Sequence, residues 1–181
     1  MHAASACPSC CEFAMSLERP LDPPDSLAFE PGLRPLSGVD AGTEVLSRRG
    51  YIRAADLKPG EDVITRDRGL CRILSITRVQ ARSRIVRFAS HALGEDCPDR
   101  AVILPARQAV LVRDWRALAR HDRHAARVAA ISLIDGILVT DAGMTEGDWL
   151  QIWLDAPSVL YLRGLEVVSA HGFDDRMHPK L

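Results

Sequence analysis

Short apolar runs separated by turn residues fill the chain from about Asp40 onward, and this pattern restricts the fold more than any other feature. The runs are rich in Val, Ile and Leu, which is typical of β-strands. Turn-forming residues stand at the breaks, as in Lys58-Pro59-Gly60 and Asp135-Gly136. Many short strands at close spacing predict an all-β domain, here a compact module of twisted strands.

The strands expected from this pattern are residues 44–46, 51–53, 62–66, 72–79, 85–89, 101–104, 109–113, 137–140, 148–154, 159–163 and 166–169. The segment 114–130 fits neither strand nor helix cleanly. Its apolar residues Trp115 and Leu118 have helical spacing, and we expect one or two helical turns there.

Residues 1–36 differ from the rest of the chain. They hold six of its eleven prolines and show neither the strand period nor the helix period. Proline has no backbone N–H and a fixed φ, so this segment can join neither a sheet nor a helix for long. We predict an extended Pro-rich arm over 1–36 that orders only against a partner, then a β domain over 37–174 and a tail over 175–181.

The formal net charge is -1, which removes the general attraction of a basic protein for nucleic acids or anionic membranes. We therefore expect no nucleic-acid partner. There is no apolar run long enough to span a membrane and no signal peptide at the N-terminus. The five cysteines are an odd number, which argues against a disulfide framework. These features predict a cytoplasmic protein with reduced thiols.

Three stretches, at residues 41–67, 92–112 and 149–166, follow one another in a recognisable order. In the first, Leu57-Lys58-Pro59-Gly60-Glu61 leads into Val63 and a strand. The second is an apolar strand that runs into Pro105 and a further apolar strand. Together they resemble bacterial Hint (hedgehog/intein) autoprocessing domains, over about residues 38–173. The resemblance implies the compact all-β Hint fold.

In that family a Cys or Ser at the head of the domain attacks the preceding carbonyl, and a His in the second block protonates the scissile amide. A Thr follows the nucleophile by five residues. If Thr43 is that Thr, the nucleophile position is Gly38. The second-block His falls on Gln108 by ungapped counting, or on Arg107 after a slip of one residue, and Pro157 occupies the position of a His in the closing strands.

The resemblance therefore implies a site that has lost its chemistry. Glycine has no nucleophile, glutamine does not titrate near neutral pH, and Pro157 lacks even a backbone N–H. The neighbouring Ser37 is one residue out of register, so its side chain points to the other side of an extended backbone. The chain also contains no asparagine, the residue whose cyclisation completes protein splicing.

The arm carries Cys7, Cys10 and Cys11, of which the first two have the C-x-x-C spacing of zinc ligands. A structural zinc site needs four ligands, and the arm offers few candidates to complete it. We therefore interpret the three cysteines as free thiols and expect no metal and no cofactor.

Two further groups have ordinary structural interpretations. Arginines recur every three or four residues between 113 and 127, which would form a basic stripe on a helix. Asp114 and Asp122 offset this charge, so a solvated face is favoured. The tryptophans Trp115, Trp149 and Trp153 are expected to pack in the core or at an edge.

The function that we predict is a degenerate Hint-like domain of bacterial type that does not cleave itself. It would act as a binding or structural module for a protein partner. The alternative is an active autoprocessing domain that releases the N-terminal segment by an N-to-O acyl shift at Ser37. Fold-level kinship alone does not identify the partner.

Overall fold

The computed structural model describes residues 37–170. The predicted arm with Cys7, Cys10 and Cys11, and the predicted tail from residue 175, lie outside this range. The described strands are β1 (Val39–Asp40), β2 (Glu44–Ser47), β3 (Gly50–Arg53), β4 (Asp62–Thr65), β5 (Gly69–Arg72), β6 (Ser75–Phe88), β7 (Val102–Pro105), β8 (Ala109–Val112), β9 (Ala126–Ala129), β10 (Val139–Trp153), β11 (Val159–Leu162) and β12 (Leu165–Val168). One helix, α1 (Trp115–His121), and two short 3-10 turns, Ala54–Asp56 and Ala130–Leu133, complete the set.

The strands form two antiparallel sheets, so the predicted all-β fold is confirmed. One sheet has the order β1-β10-β6-β7, and the other has the order β3-β2-β4-β11-β12-β8-β9, with β5 beside β4. Their apolar side chains share one core, in which Phe88, Leu104 and Leu160 are almost fully buried. The topology places β1, the first described strand, directly against β10 near the end of the domain.

Seven of the short strands lie where the sequence predicts them, to within one or two residues: β2, β3, β4, β7, β8, β11 and β12. The sequence did not predict β1, β5 and β9. The corner before β4 is an example of the agreement. Gly60 donates its N–H to the carbonyl of Ile73 at 2.8 Å, and β4 follows with Val63 and Thr65 buried and Ile64 half-buried. This is the period-two alternation expected of a strand with one buried face.

The two longest strands differ from the prediction. The sequence predicted separate strands for 72–79 and 85–89, and again for 137–140 and 148–154. The structure joins them into continuous β6 and β10, which pair along a long ribbon with one irregularity near Gly143. The middle of this ribbon is solvent-exposed and held by the ion pairs Arg78–Asp148 and Arg84–Asp141. Backbone pairing in this exposed region does not require alternating apolar residues, so the apolar pattern of the sequence is interrupted there.

The helix α1 confirms the one or two turns expected in this segment. Asp114 caps its first turn by accepting the N–H of Arg116 at 2.9 Å, and Asp122 ends it in a left-handed conformation. The helix spans only part of the arginine series, because Arg113 follows β8 and Arg127 lies on β9. The arginines therefore do not form one helical stripe.

The tryptophans divide into two groups. Trp149 and Trp153 are buried on the long ribbon, as predicted, and their indole N–H groups donate to the Ala81 carbonyl and the Thr77 hydroxyl. The prediction for Trp115 is wrong, because this side chain is exposed on α1. The helix buries Ala117 instead, so the face that carries Trp115 and Leu118 is turned to solvent. No helix in the described range is long and apolar enough to cross a membrane.

Candidate functional site

The site begins at Gly38, the position where the family would carry its nucleophile. Gly38 is buried just before β1, whose Val39 pairs with Leu150 of β10. Its φ is +143°, and a Cβ built there would lie 3.0 Å from the Leu150 carbonyl oxygen. Both the backbone conformation and the close Leu150 carbonyl therefore favour glycine, and a side chain here would have to displace that carbonyl slightly.

Gln108 lies directly beside Gly38. It occupies the turn between β7 and β8, and its side chain is inside the protein with 3% of the residue exposed. Its Oε1 accepts the N–H of Gly38 at 2.7 Å. The neighbouring Arg107 is exposed. The ungapped count from the sequence thus identified the inward-facing residue.

The orientation of the Gln108 amide is fixed by its other partners. Its Nε2 donates to the Val168 carbonyl at 2.8 Å and to the Ala109 carbonyl at 3.2 Å. A flipped amide would bring its NH2 against the Gly38 N–H and its oxygen against two carbonyls, so only one orientation satisfies all three contacts. Gln108 therefore presents an acceptor to the Ser37-Gly38 peptide bond.

A second glutamine contacts the other side of the same peptide bond. Gln151 of β10 donates from Nε2 to the Ser37 carbonyl at 3.1 Å. We call Gln108 and Gln151 the glutamine clamp, because together they bind both polar groups of the Ser37-Gly38 peptide. A polar residue between the buried Leu150 and Ile152 is ordinary for a strand, so the sequence carried no signal that singled out Gln151.

The clamp lacks the groups that break a peptide bond in this fold. The leaving nitrogen must gain a proton, but the Gln108 oxygen at that nitrogen only accepts. Gln151 polarises the Ser37 carbonyl, yet Gly38 offers no atom to attack it. Neither amide side chain titrates near neutral pH.

The remaining predicted positions do not join the clamp. Thr43 is a turn residue whose N–H donates to the Asp40 carbonyl at 2.9 Å and whose carbonyl accepts from Ala54 at 2.8 Å. Within residues 37–170, the side-chain hydrogen bonds of the Ser37-Gly38 peptide go to the glutamines and not to Thr43. Pro157 is exposed in the turn before β11.

The clamp lies where the chain enters and leaves the described fold. Gln108 connects Gly38 at the start to Val168 at the end through its two amide atoms. Ala170 also lies against β10, because its N–H donates to the Ile152 carbonyl at 3.0 Å. Gly38 and Ala170, at the two ends of the described range, thus lie against Leu150 and Ile152, the two neighbours of Gln151 on β10.

The described cysteines do not form a site of their own. Cys71 is buried, Cys97 is half-buried, and both are free thiols. Burial raises the pKa of the Cys97 thiol, with Glu166 nearby adding to the effect. Between residues 37 and 170 there is no group of three or more His, Cys, Asp or Glu that could hold a metal ion.

Known proteins resemble this chain in both sequence and fold. The Hint domain family matches residues 38–173. The solution structure of a bacterial intein-like domain from Clostridium thermocellum is 12% identical, with 75% of this chain and 99% of that chain covered and a TM-score of 0.52. The crystal structure of the MchDnaB-1 intein is 11% identical, with 73% and 99% covered and a TM-score of 0.48. Comparison with curated proteins gives no match. The likeness to the intein-like domain shows a shared fold.

Proposed function

The chain belongs to the Hint domain family, and we propose that it is a degenerate member that binds the peptide bond at the family's cleavage position without breaking it. The observation that carries this proposal is the glutamine clamp. Gln108 accepts from the N–H of Gly38, where the family's histidine would supply a proton, and Gly38 stands where the nucleophile would be. The residues at these two positions, Gly38 and Gln108, are hydrogen-bonded to each other at 2.7 Å.

In this proposal the domain is a structural or protein-binding module. The clamp binds the uncleaved Ser37-Gly38 peptide and holds it beside Val168, near the end of the described range. The arm over 1–36, the domain over 37–174 and the tail over 175–181 then stay one covalent unit. The odd number of cysteines, five in the chain, supports a reducing, cytoplasmic setting.

The competing function, self-cleavage by an N-to-O acyl shift at Ser37, would act on a different bond. The Ser37 hydroxyl would attack the preceding carbonyl and break the bond between residues 36 and 37, one bond upstream of the clamped peptide. The two functions therefore predict different products, and a mass measurement distinguishes them.

We expect the purified full chain to keep its full-length mass during prolonged incubation at neutral pH, with or without hydroxylamine or a thiol. The physical reason is that, among the described residues, the Gln108 side chain only accepts at the Gly38 nitrogen, and Gly38 itself carries no nucleophile. Intact-mass spectrometry is the measurement, and Ser37→Ala is the matched control. A fragment beginning at residue 37 that disappears in Ser37→Ala would establish the competing function, and a fragment beginning at residue 38 would show that the clamp is active.

A further inference from the structure

An exposed apolar surface lies on α1 and on the loop that precedes β10. Trp115, Leu118 and Ile137 are 68%, 52% and 82% exposed, and we call them the Trp115 surface. The first two share one face of α1, three residues apart. Arg116 connects this helix to the loop of Ile137, because its guanidinium lies 3.8 Å from the Asp135 carboxylate. Three large apolar side chains this exposed, on two elements linked by an ion pair, form a candidate interaction surface.

The loop that presents Ile137 is held in place. The Oδ1 of Asp135 accepts the N–H groups of Ile137, Leu138 and Val139 at 2.8 to 2.9 Å. These hydrogen bonds hold the pKa of the Asp135 carboxyl below its usual value, and the one from Val139 has the largest effect. The Ile137 side chain is thus displayed on a fixed turn, which lowers the entropy cost of binding something against it.

The segments next to this surface, which we call its rim, carry the basic side chains Arg123 and Arg127 and the acidic Asp122. His121, Arg123 and His124 are exposed at and after the end of α1, and Arg127 is exposed on β9 at the edge of its sheet. Within the described residues, Arg123 and Arg127 form no ion pair. The acidic neighbours Asp114 and Asp135 are both committed to Arg116, which also reaches the Ala92 carbonyl. The charge that faces a partner is therefore mainly basic.

We propose that the Trp115 surface binds a protein segment that carries apolar side chains flanked by Asp or Glu. Trp115, Leu118 and Ile137 would contact the apolar residues, and Arg123 and Arg127 would pair with the carboxylates. Aromatic and arginine side chains are the types that most often carry binding energy at interfaces. The surface shares no residue with the glutamine clamp, so the proposal stands whether or not the domain cleaves itself.

A nucleic acid is the other partner that a basic rim suggests, and the surface fits it less well. Leu118 and Ile137 are aliphatic side chains, which form neither hydrogen bonds nor ion pairs with a phosphate backbone. Asp122 is exposed within the rim and would repel phosphates. The whole chain carries a net charge of -1, whereas nucleic-acid binders depend on excess positive charge.

Selection of random dodecapeptides on the full chain tests this proposal. We expect the recovered peptides to combine Asp or Glu with Leu, Phe or Trp. A synthetic copy of the most enriched peptide should bind at least about tenfold more weakly to Trp115→Ser/Ile137→Ser and to Arg123→Glu/Arg127→Glu. Binding should also weaken as salt is added.

The double variant Leu70→Ser/Leu74→Ser is the matched control, since these two leucines are similarly exposed but lie on and beside β5. It should bind the peptide as the unmodified chain does. Circular dichroism and thermal melting check that every variant is folded. The proposal is overturned by selected peptides without acidic residues, by no selected peptides, or by equal binding to Trp115→Ser/Ile137→Ser. Tighter binding of a single-stranded oligonucleotide than of the peptide, lost in the same variants, would overturn it in favour of nucleic acid.

Discussion

Replacing Gln108 with alanine is expected to lower the free energy of unfolding by about 3 kcal/mol. The change leaves the Gly38 N–H without its partner at 2.7 Å and the Val168 carbonyl without its partner at 2.8 Å, both inside the protein. Each buried polar group left without a partner costs about 1 to 3 kcal/mol, and this substitution leaves two such groups. Urea denaturation followed by tryptophan fluorescence gives the free energy directly.

Arg107→Ala is the matched control for this prediction, because Arg107 is adjacent in sequence but exposed. We expect it to change the free energy of unfolding by no more than about 0.5 kcal/mol. If Gln108→Ala were as mild as Arg107→Ala, Gln108 would not be holding the two ends of the domain, and the structural part of the proposal would fail.

Restoring a nucleophile at Gly38 is expected to damage the fold without restoring cleavage. Gly38→Cys should lower the free energy of unfolding by about 3 kcal/mol, since a positive φ and an overpacked contact each cost about 1 to 3 kcal/mol. The new Cβ would lie 3.0 Å from the Leu150 carbonyl oxygen, and φ there is +143°. The protein should still show its full-length mass, because Gln108 cannot protonate the leaving nitrogen.

Gly60→Cys separates the two contributions. Gly60 has a φ of +89°, but a Cβ added there would meet nothing within 4 Å, so this variant reports backbone strain alone. We expect Gly38→Cys to be the more destabilising of the two by at least about 1 kcal/mol. Rapid cleavage of Gly38→Cys after folding would mean that the site kept its catalytic competence and had lost only the nucleophile.

Much of the scaffold could be read from the sequence because its signals are local. The turn at Pro59-Gly60 and the alternation of Val63, Ile64 and Thr65 each lie within a few neighbouring residues, and the strands that they define are present. The long ribbon of β6 and β10 was divided in the prediction because its exposed middle is stabilised by backbone pairing and ion pairs, which leave no apolar period.

The site was predictable only in part, for a related reason. Gly38 and Gln108 could be located by counting along family motifs, and the structure brings them into contact across 70 positions of sequence. Gln151 could not, because its role depends on β1 pairing with β10, and such long-range pairing leaves no mark on a single strand. The exposure of Trp115 was missed because apolar spacing on a short helix does not reveal whether a core lies beside it.

Hydrogen exchange at the Gly38 amide tests most directly whether the Ser37-Gly38 peptide is intact and bound by the clamp. NMR on the uniformly labelled full chain follows this exchange. We predict exchange at least about 100-fold slower than in an unstructured peptide, and loss of that protection in Gln108→Ala. Exchange at the rate of an unstructured peptide in the unmodified chain would contradict the proposed role of the clamp.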